Sequence, residues 1–324
     1  MIVTKTPFRI SFLGGGSDLP SFFQNHGGCV VTSSLDKFIY LSINNHFEEK
    51  GFNLKYSKNE LATSINEIKH PIIKKVFSIY KINDVVLSSI ADLPANTGMG
   101  SSSAFTVGLI NLCNYFSKKK LLSKSSLAEA ACNVEIKSLK EPIGKQDQYA
   151  SSFGGFNKII FNKDNSVEVI PMKMRGCLNE LNENLLLFYL GGKRKASSVL
   201  KEQNEKIKKN FTAIDSTKKI MKLAEEFKET EIKKNLDLFG ELLDTNWILK
   251  RSITNKISNP FIDEFYETAK KNGAIGGKLL GAGSGGFFLV YARKKDHSKL
   301  KRKLGNYKFI KFSFGSNGSK LIKI

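Results

Sequence analysis

The sequence predicts an α+β protein of two domains, and three observations lead to this fold class. At 324 residues the chain is long enough to form two domains, each with its own core. Its first part alternates single helices with short strand patterns rich in Val, Ile, Tyr and Phe. Beyond residue 185, long helices rich in Lys and Glu dominate. This change in composition predicts a boundary near residue 170, with domains at 1–170 and 171–324.

In the first domain, a strand over residues 2–13 is predicted to run into a glycine turn and a short helix near Pro20–Asn25. Helix Ser101–Phe116 follows from apolar residues that recur every three or four positions. Helix Ser125–Leu139 has Ser125 or Ser126 as its N-cap. The other predicted elements are strands Cys29–Ser34, Phe38–Asn44, 52–57, Asp84–Ser89 and Lys158–Phe161, and helix His70–Tyr80.

In the second domain, an apolar strand over Leu185–Leu190 is predicted to precede a series of helices. A glycine-rich loop is predicted over Gly273–Gly286, and strand Phe287–Ala292 follows it. A basic helix and two short strands near Tyr307–Phe314 and Leu321–Ile324 complete the chain. The predicted helices are Lys195–Asn210, Thr212–Phe227, Ile232–Leu249 and Pro260–Lys271.

The formal net charge of +21 suggests an anionic partner. The excess lysines are scattered through helices, and the chain lacks the aromatic and basic interleaving typical of RNA-binding modules. We therefore predict no nucleic-acid partner and attribute the positive field to an anionic small substrate. The sequence contains no run of eighteen apolar residues, so no membrane span is predicted. The four cysteines and four histidines show no zinc-ligand spacing. The cysteines are expected to be buried, reduced thiols of a cytoplasmic protein.

The stretch Leu93–Phe105, LPANTGMGSSSAF, is the strongest candidate for an anion site. Gly98 and Gly100 lack a Cβ, so the backbone there can approach a bulky ligand. The serines that follow stand where a helix begins, and its first N–H groups have no partners within the helix. A phosphate group fits such a place. The alternative interpretation is an ordinary Gly/Ser turn before a helix.

Two other glycine patterns do not predict a nucleotide site. Gly281–Gly286 matches G-x-G-x-x-G, but a predicted strand follows this loop, where a dinucleotide site requires a helix. A Walker A loop is also absent, because Leu279 follows Gly277-Lys278 where Ser or Thr is required. We predict that the glycine-rich stretch folds against the Gly98–Ser103 loop, and that Gly281 and Gly283 tolerate no Ala if their φ is positive.

Three stretches in order resemble the signature motifs of the GHMP small-molecule kinases, a family that includes galactokinase, homoserine kinase and mevalonate kinase. They are Pro7–Asp18, Leu93–Ala104 and Gly276–Gly286. The resemblance implies an N-terminal domain like ribosomal protein S5 domain 2, a ferredoxin-like C-terminal domain, and an active site between them. The stretches GGGSDLPSFF and EPIGKQDQYAS look most like the bacterial branch that phosphorylates D-glycero-D-manno-heptose 7-phosphate at its anomeric hydroxyl.

The resemblance also implies roles for individual residues. Asp147 matches the aspartate that takes the proton of the acceptor hydroxyl, and Arg9 matches a basic residue that stabilises charge beside it. Ser102 and Glu135 match the ligands of Mg²⁺. The residues implied to wrap the phosphates of ATP are Pro94, Thr97, Gly98, Met99, Gly100, Ser101, Ser102 and Ser103. From the residues alone, a turn aspartate, an exposed strand-end arginine and a solvent-facing helix glutamate remain open alternatives for Asp147, Arg9 and Glu135.

The predicted substrate-binding residues are Gly15, Gly16, Ser17, Asp18, Lys193, Arg194 and Gly283. Asp18 matches a sugar-binding aspartate, whereas Gly15-Gly16 stand where galactokinases have Glu-His. This departure suits a larger or phosphorylated sugar. Lys193 and Arg194 lie between Gly191-Gly192 and a predicted helix start, which suits the phosphate of the sugar. A solvated run of charges at a helix start is the alternative.

The predicted function is therefore ATP- and Mg²⁺-dependent phosphorylation of a heptose 7-phosphate to its 1,7-bisphosphate, for nucleotide-activated heptose and surface polysaccharide. The substrate partner is a small sugar phosphate, and a homodimer is left open. One alternative is a fucokinase-like or other sugar-1-kinase. An alternative of another class is a catalytically inactive protein that binds a nucleotide or a nucleic acid.

Overall fold

A computed structural model of the chain describes residues 1–47, 50–174, 176–191, 196–315 and 317–323. The described strands are β1 (Ile2–Leu13), β2 (Gly28–Asn45), β3 (Phe52–Lys55), β4 (Asn59–Ala62), β5 (Val85–Ala91), β6 (Phe156–Phe161), β7 (Val167–Pro171), β8 (Leu185–Tyr189), β9 (Ala274–Leu279), β10 (Phe287–Ala292), β11 (Lys308–Ile310) and β12 (Lys320–Lys323).

The helices are α1 (Pro20–His26), α2 (Pro71–Tyr80), α3 (Ser101–Phe116), α4 (Lys124–Cys132), α5 (Gln146–Phe153), α6 (Leu178–Glu183), α7 (Ala196–Lys209), α8 (Phe211–Glu225), α9 (Glu229–Lys234), α10 (Asp237–Arg251), α11 (Pro260–Lys271) and α12 (His297–Lys303). Two 3₁₀ turns lie at Ile65–Glu67 and Lys294–Asp296, and a π-helical turn lies at Asn133–Ser138. In the part of the chain described above, none of the helices is long and apolar enough to cross a membrane.

The larger sheet has the strand order β12-β1-β2-β5-β3-β4. Strand β6 also pairs with β2, and β7 pairs with β6. The two strands predicted over residues 29–44 form one long strand, β2, which pairs with β1 along both of its halves. The predicted break between them is a register shift, where Pro7 opposes Phe38 and Arg9 opposes Ser34. Bulges re-aim side chains next to active sites. This one lies beside Arg9.

The smaller sheet is antiparallel, with the order β11-β8-β10-β9. Along the chain its strands and covering helices follow a β-α-β-β-α-β pattern, which is the ferredoxin-like arrangement. The predicted two-domain α+β fold is therefore confirmed. The last strand, β12, returns to pair with β1 in the larger sheet. The boundary near residue 170 stays a prediction.

The predicted loop Gly273–Gly286 is wrong in its first half, which forms strand β9. A Cβ on Gly276 would lie 1.8 Å from the Gly240 carbonyl oxygen, and one on Gly277 would lie 2.6 Å from that of Leu289. These glycines are therefore explained by close packing inside a buried strand rather than by a turn. Only the stretch from Leu280 to Gly286 is a loop between strands.

Two predicted helices also differ from the structure. The segment Ile232–Leu249 belongs to two helices, α9 and α10, because Asn235 between them has an extended backbone. Helix α4 begins earlier than predicted, since the Ser123 hydroxyl accepts a hydrogen bond from the Ser126 N–H at 3.1 Å. Its predicted continuation to Leu139 is a π-helical turn that carries Glu135.

Candidate active site

A cavity of about 380 Å³ lies where the two domains meet. Its walls come from the end of β1 and the glycine turn after it, from the starts of α3 and α5, and from α10 and the loop after β9. The three motif stretches, which are far apart in sequence, therefore contribute to one site. The lining includes Arg9, Asp18, Gly98, Ser102, Asp147 and Gly281.

Arg9 and Asp147 form a bidentate ion pair in the wall of the cavity. The Arg9 Nε and Nη2 atoms each donate to one carboxylate oxygen of Asp147 at 2.6 Å. Nη1 donates to the Gly98 carbonyl oxygen at 2.7 Å. Arg9 is 3% exposed, so it is not a surface residue at a strand end. The planar guanidinium thus holds a carboxylate at a defined place beside the Gly98–Ser103 loop.

The start of α3 has the geometry of an anion site. The N-cap residue is Gly100, which has φ +73° and no capping side chain, so the first N–H groups of α3 are free of a side-chain cap. Gly98 has φ +83° and also presents only backbone to its surroundings. Ser101, Ser102 and Ser103 line the cavity at the positive end of this 16-residue helix. Triphosphate oxygens fit this arrangement.

Ser102 and Glu135 lie next to each other, although 33 residues separate them. The Ser102 hydroxyl donates to Glu135 Oε1 at 2.6 Å, and the Gln148 amide donates to Oε2 at 2.7 Å. Glu135 is fully buried, which excludes a solvent-facing carboxylate. Burial raises the pKa of the Glu135 carboxyl, while the hydrogen bonds from Ser102 and Gln148 oppose that rise. Two hard oxygens at this spacing fit a divalent cation whose other ligands come from phosphate and water.

Asp18 also lines the cavity and is 3% exposed. Its carboxylate accepts hydrogen bonds from the backbone N–H groups of Gly16 at 2.9 Å and Gln146 at 3.3 Å. Burial raises the pKa of Asp18, and the charge of Asp147 raises it further. A Cβ on Gly144 would lie 2.0 Å from this carboxylate, so only glycine fits beneath it. Asp18 is thus a buried carboxylate held in a fixed position at the cavity wall.

The room expected at Gly15-Gly16 is partly filled from the second domain. A Cβ on Gly16 would lie 2.8 Å from the amide nitrogen of Gln203, a buried residue of α7 that lines the cavity. At Gly15 a Cβ would fit without displacing its neighbours, in ordinary van der Waals contact 3.5 Å from the Ser11 hydroxyl. The Ser11 hydroxyl and the Gln146 side-chain oxygen lack a hydrogen-bond partner among the described residues and line the cavity. Both atoms are buried, so a substrate group would reach them only if these side chains moved.

The loop after β9 braces the start of α3, as predicted for the third motif. Gly281 has φ +73°, and a Cβ there would lie 2.4 Å from the Gly98 Cα. The Phe287 N–H donates to the Thr97 carbonyl at 3.2 Å. The two glycine loops therefore lie in backbone-to-backbone contact, which requires glycine on both sides.

Several predicted binding residues support the site without lining the cavity. The Ser17 hydroxyl donates to the Gly14 and Cys29 carbonyls, at 2.8 and 3.0 Å, and so closes the glycine turn. The Thr97 hydroxyl donates to the Pro94 carbonyl at 2.8 Å, and Met99 belongs to the hydrophobic core. Gly283 packs against the Ile257 backbone. Lys193 and Arg194 lie outside the described residues.

Two buried lysines of the site were not predicted. Lys278 of β9 donates to the Ser11 and Phe12 carbonyls at 2.9 and 2.7 Å and ties the two sheets together. Lys250 of α10 lines the cavity and donates to the Gly281 carbonyl. A signal for Lys250 exists in the sequence, since it follows Leu243 and Trp247 at the spacing of a buried helix face. A lysine at such a position departs from the apolar pattern.

Two family models match the chain. The GHMP kinases N terminal domain matches residues 66–155, and the GHMP kinases C terminal model matches residues 221–311, which together cover more than half of the chain. The chain belongs to the GHMP kinase family. It is a phosphotransferase with an alcohol group as acceptor, and ATP is the phosphate donor.

Full-length relatives agree with this family. The chain is 28% identical to a D-glycero-alpha-D-manno-heptose 7-phosphate kinase of Campylobacter jejuni, over 100% of this chain and 99% of the relative. It is 25% identical to a galactokinase of Pyrococcus furiosus, over 90% and 89%. A crystal structure of a D-glycero-D-manno-heptose 1-phosphate kinase from Bacteriodes thetaiotaomicron superposes with a TM-score of 0.81 and 24% identity, over 100% and 99%. That likeness concerns the fold.

Proposed function

We propose that this kinase transfers the γ-phosphoryl group of ATP to the anomeric C1 hydroxyl of D-glycero-D-manno-heptose 7-phosphate. The observation that carries the chemistry is the Arg9–Asp147 pair, which the bond from Arg9 to the Gly98 carbonyl links to the start of α3. The choice of sugar rests on the match along the whole chain to a heptose 7-phosphate kinase. The product, a 1,7-bisphosphate, would serve the synthesis of nucleotide-activated heptose for surface polysaccharide.

Asp147 has the role of proton acceptor in this proposal. Its carboxylate is 22% exposed and faces the cavity beside the phosphate site, so an acceptor hydroxyl can reach it. Arg9 occupies one lone pair of each carboxylate oxygen, and further lone pairs remain for the hydroxyl. As the hydroxyl oxygen attacks phosphorus, its proton passes to Asp147, and Arg9 balances the charge that develops nearby.

The cation that accompanies ATP would be held by Ser102 and Glu135. Mg²⁺ would supply neutralisation of the phosphate charges when bound. The described residues contain no cluster of three or more His, Cys, Asp or Glu side chains suited to a metal ion. A site of one hydroxyl and one carboxylate agrees with the coordination preference of Mg²⁺, which retains several waters and binds phosphate oxygens.

Replacement of Glu135 by Gln tests the metal role. We expect the Mg²⁺ concentration for half-maximal rate to rise by about 10- to 100-fold, because a carboxylate ligand is lost. Folding should persist, since the new amide can still accept from Ser102, and the unpartnered Gln148 oxygen can turn to accept from it. The measurement is ADP release against Mg²⁺ concentration, with a thermal melt of both proteins.

Glu129→Gln is the matched control, because Glu129 is also a paired carboxylate, with the Lys145 ammonium at 2.8 Å. It lies on α4 and accepts hydrogen bonds from Lys145 and Tyr149, whereas Glu135 accepts from Ser102. The control should keep the wild-type Mg²⁺ requirement. An unchanged requirement in Glu135→Gln as well would remove Glu135 from the metal site.

A panel of acceptors tests the proposed substrate. We expect ADP release with heptose 7-phosphate to exceed that with fucose, galactose, mannose 6-phosphate and mevalonate, because the family match favours this sugar. The phosphorylated position is read by ³¹P NMR of the product, where a C1 phosphate couples to the anomeric proton. Faster turnover of fucose or galactose would support the alternative sugar-1-kinase and reject the heptose assignment. Salt-sensitive binding of DNA or RNA with no turnover would instead revive the inactive alternative.

A further inference from the structure

Lys250 is a buried lysine in the lining of the cavity, and none of the three motif stretches contains it. It lies on α10 of the second domain, is 6% exposed, and lines the cavity together with Arg9, Asp18 and Asp147. Burying an ammonium group is costly, so a protein that keeps one at such a place gains something other than stability.

The ammonium of Lys250 has spare hydrogen-bonding capacity. An ammonium carries three N–H donors. Among the described residues, that of Lys250 makes a single hydrogen bond, to the Gly281 carbonyl. Lys278 differs, because two carbonyl groups accept from its ammonium and it is thereby a tie between sheets. The remaining donors of Lys250 are therefore open to a ligand in the cavity.

The single bond of Lys250 places it beside the phosphate loop. Gly281, which accepts that bond, packs directly on Gly98. Arg9 donates to the Gly98 carbonyl from the first domain. Arg9 and Lys250 thus hold the two contacting glycine loops from opposite domains.

The groups that face Lys250 have mixed charge. Arg9 on β1 is a cation, and Lys278 on β9 is a second lysine whose pKa burial lowers well below its ordinary value. Asp18 in the glycine turn and Asp147 on α5 are carboxylates. Burial lowers the pKa of Lys250 to about 8, the charge of Arg9 lowers it as well, and the two carboxylates oppose the shift. An anion bound in the cavity would favour the protonated form. Near neutral pH the group is thus a cation that becomes neutral as pH rises past 8.

We propose that Lys250 is a catalytic cation that contacts the phosphoryl group while it passes from ATP to the acceptor. In this step the acceptor oxygen forms a bond to the γ-phosphorus, and the bond from that phosphorus to the β–γ bridging oxygen breaks. ADP leaves with the electron pair of the broken bond, and the hydroxyl proton passes to Asp147. The Lys250 ammonium stabilises the charge on the transferring oxygens and is unchanged at the end.

The inference rests on the proposed kinase chemistry but does not depend on which sugar is phosphorylated. The test therefore uses whichever acceptor the wild-type enzyme turns over fastest. In Lys250→Met, kcat should fall by roughly 100- to 1,000-fold at pH 7, because one charged donor to the transition state is lost. KM for the acceptor should stay near its wild-type value, and thermal melts show whether the variant is folded.

Lys250→Arg provides the matched comparison. Arginine keeps the positive charge at all accessible pH values, so this variant should recover part of the lost kcat. Wild-type kcat/KM for ATP should decline as pH rises past about 8, because Lys250 loses its proton there in the free enzyme. That decline should be absent in Lys250→Arg. A decline that persists unchanged in the arginine variant would contradict the proposal.

A phosphate on the sugar is the other phosphate source that Lys250 could contact. If that were its role, Lys250→Met would raise KM for the phosphorylated sugar, keep kcat, and lose the preference over the unphosphorylated sugar. That outcome would overturn the proposal.

A binding measurement keeps the test independent of turnover. By calorimetry with Mg²⁺ and no acceptor, Lys250→Met should bind ADP like the wild type, but it should lose affinity for ADP with aluminium fluoride, which mimics the group in transit. Equal affinity of both proteins for the aluminium fluoride complex would also overturn the proposal. If no acceptor is turned over, the sugar kinase assignment fails while this measurement still decides the role of Lys250.

Discussion

Replacement of Asp147 by Asn is expected to lower kcat by about 100- to 10,000-fold, the range found for loss of a general acid or base. The variant keeps the size of the side chain but removes the charge that accepts the proton of the hydroxyl. Its amide nitrogen would also meet a guanidinium N–H, since Arg9 donates to both carboxylate oxygens. The measurement is ADP release at saturating ATP and acceptor, with ADP affinity followed by calorimetry.

Asp237→Asn is the matched control for this prediction. Asp237 also accepts two hydrogen bonds from an arginine, Arg293, and it has a similar exposure of 17%. It lies on α10 away from the cavity, so its variant measures the effect of weakening an Arg–Asp pair without touching the chemistry. We expect its kcat to remain near the wild-type value. A folded Asp147→Asn variant with kcat within tenfold of this control would exclude Asp147 as the base.

Replacement of Gly281 by Ala is expected to weaken both the fold and the use of ATP. A non-glycine residue at φ +73° costs about 1–2 kcal/mol in the free energy of unfolding. The added Cβ would also lie 2.4 Å from the Gly98 Cα, so the loop at the start of α3 has to move. Because a displacement of 1 Å in a positioning group can cost about 100-fold in rate, kcat/KM for ATP should fall by that order.

Gly176→Ala separates strain from steric contact. Gly176 has φ +81°, but a Cβ there would meet only the end of the Lys233 side chain, at 3.7 Å. This control should lose stability by about 1 kcal/mol through its positive φ and keep its kcat/KM for ATP. Urea unfolding and steady-state kinetics of both variants give the comparison. If Gly281→Ala and Gly176→Ala had the same stability and the same kcat/KM for ATP, the contact between Gly281 and Gly98 would not contribute to the use of ATP.

Local sequence signals predicted the bounds of helices whose capping residues, glycines and prolines were unambiguous. Helix α3 has its predicted bounds because Gly100 precedes an apolar repeat that ends near Phe116. Helix α11 also has its predicted bounds, since proline favours the first helical position and Asn259 caps it. The same rules placed Gly276 and Gly277 in a loop, which is wrong. Glycine is required there because the backbones of Gly240 and β10 lie too close for a side chain, and not because the chain turns.

The sequence by itself determined the α+β class, the family resemblance and the stretches that hold the phosphate loop, Arg9, Glu135 and Asp147. The class follows from composition and periodicity, and the phosphate loop follows from its glycine and serine pattern. Arg9, Glu135 and Asp147 follow from the resemblance to the family's motifs. Only the tertiary structure decided which groups meet. In the structure, Ser102 donates a hydrogen bond to Glu135, and Arg9 forms an ion pair with Asp147. Gly98 packs against Gly281, and Lys250 lines the cavity. The physical reason is that burial and pairing depend on contacts between residues far apart in sequence, which local patterns do not encode.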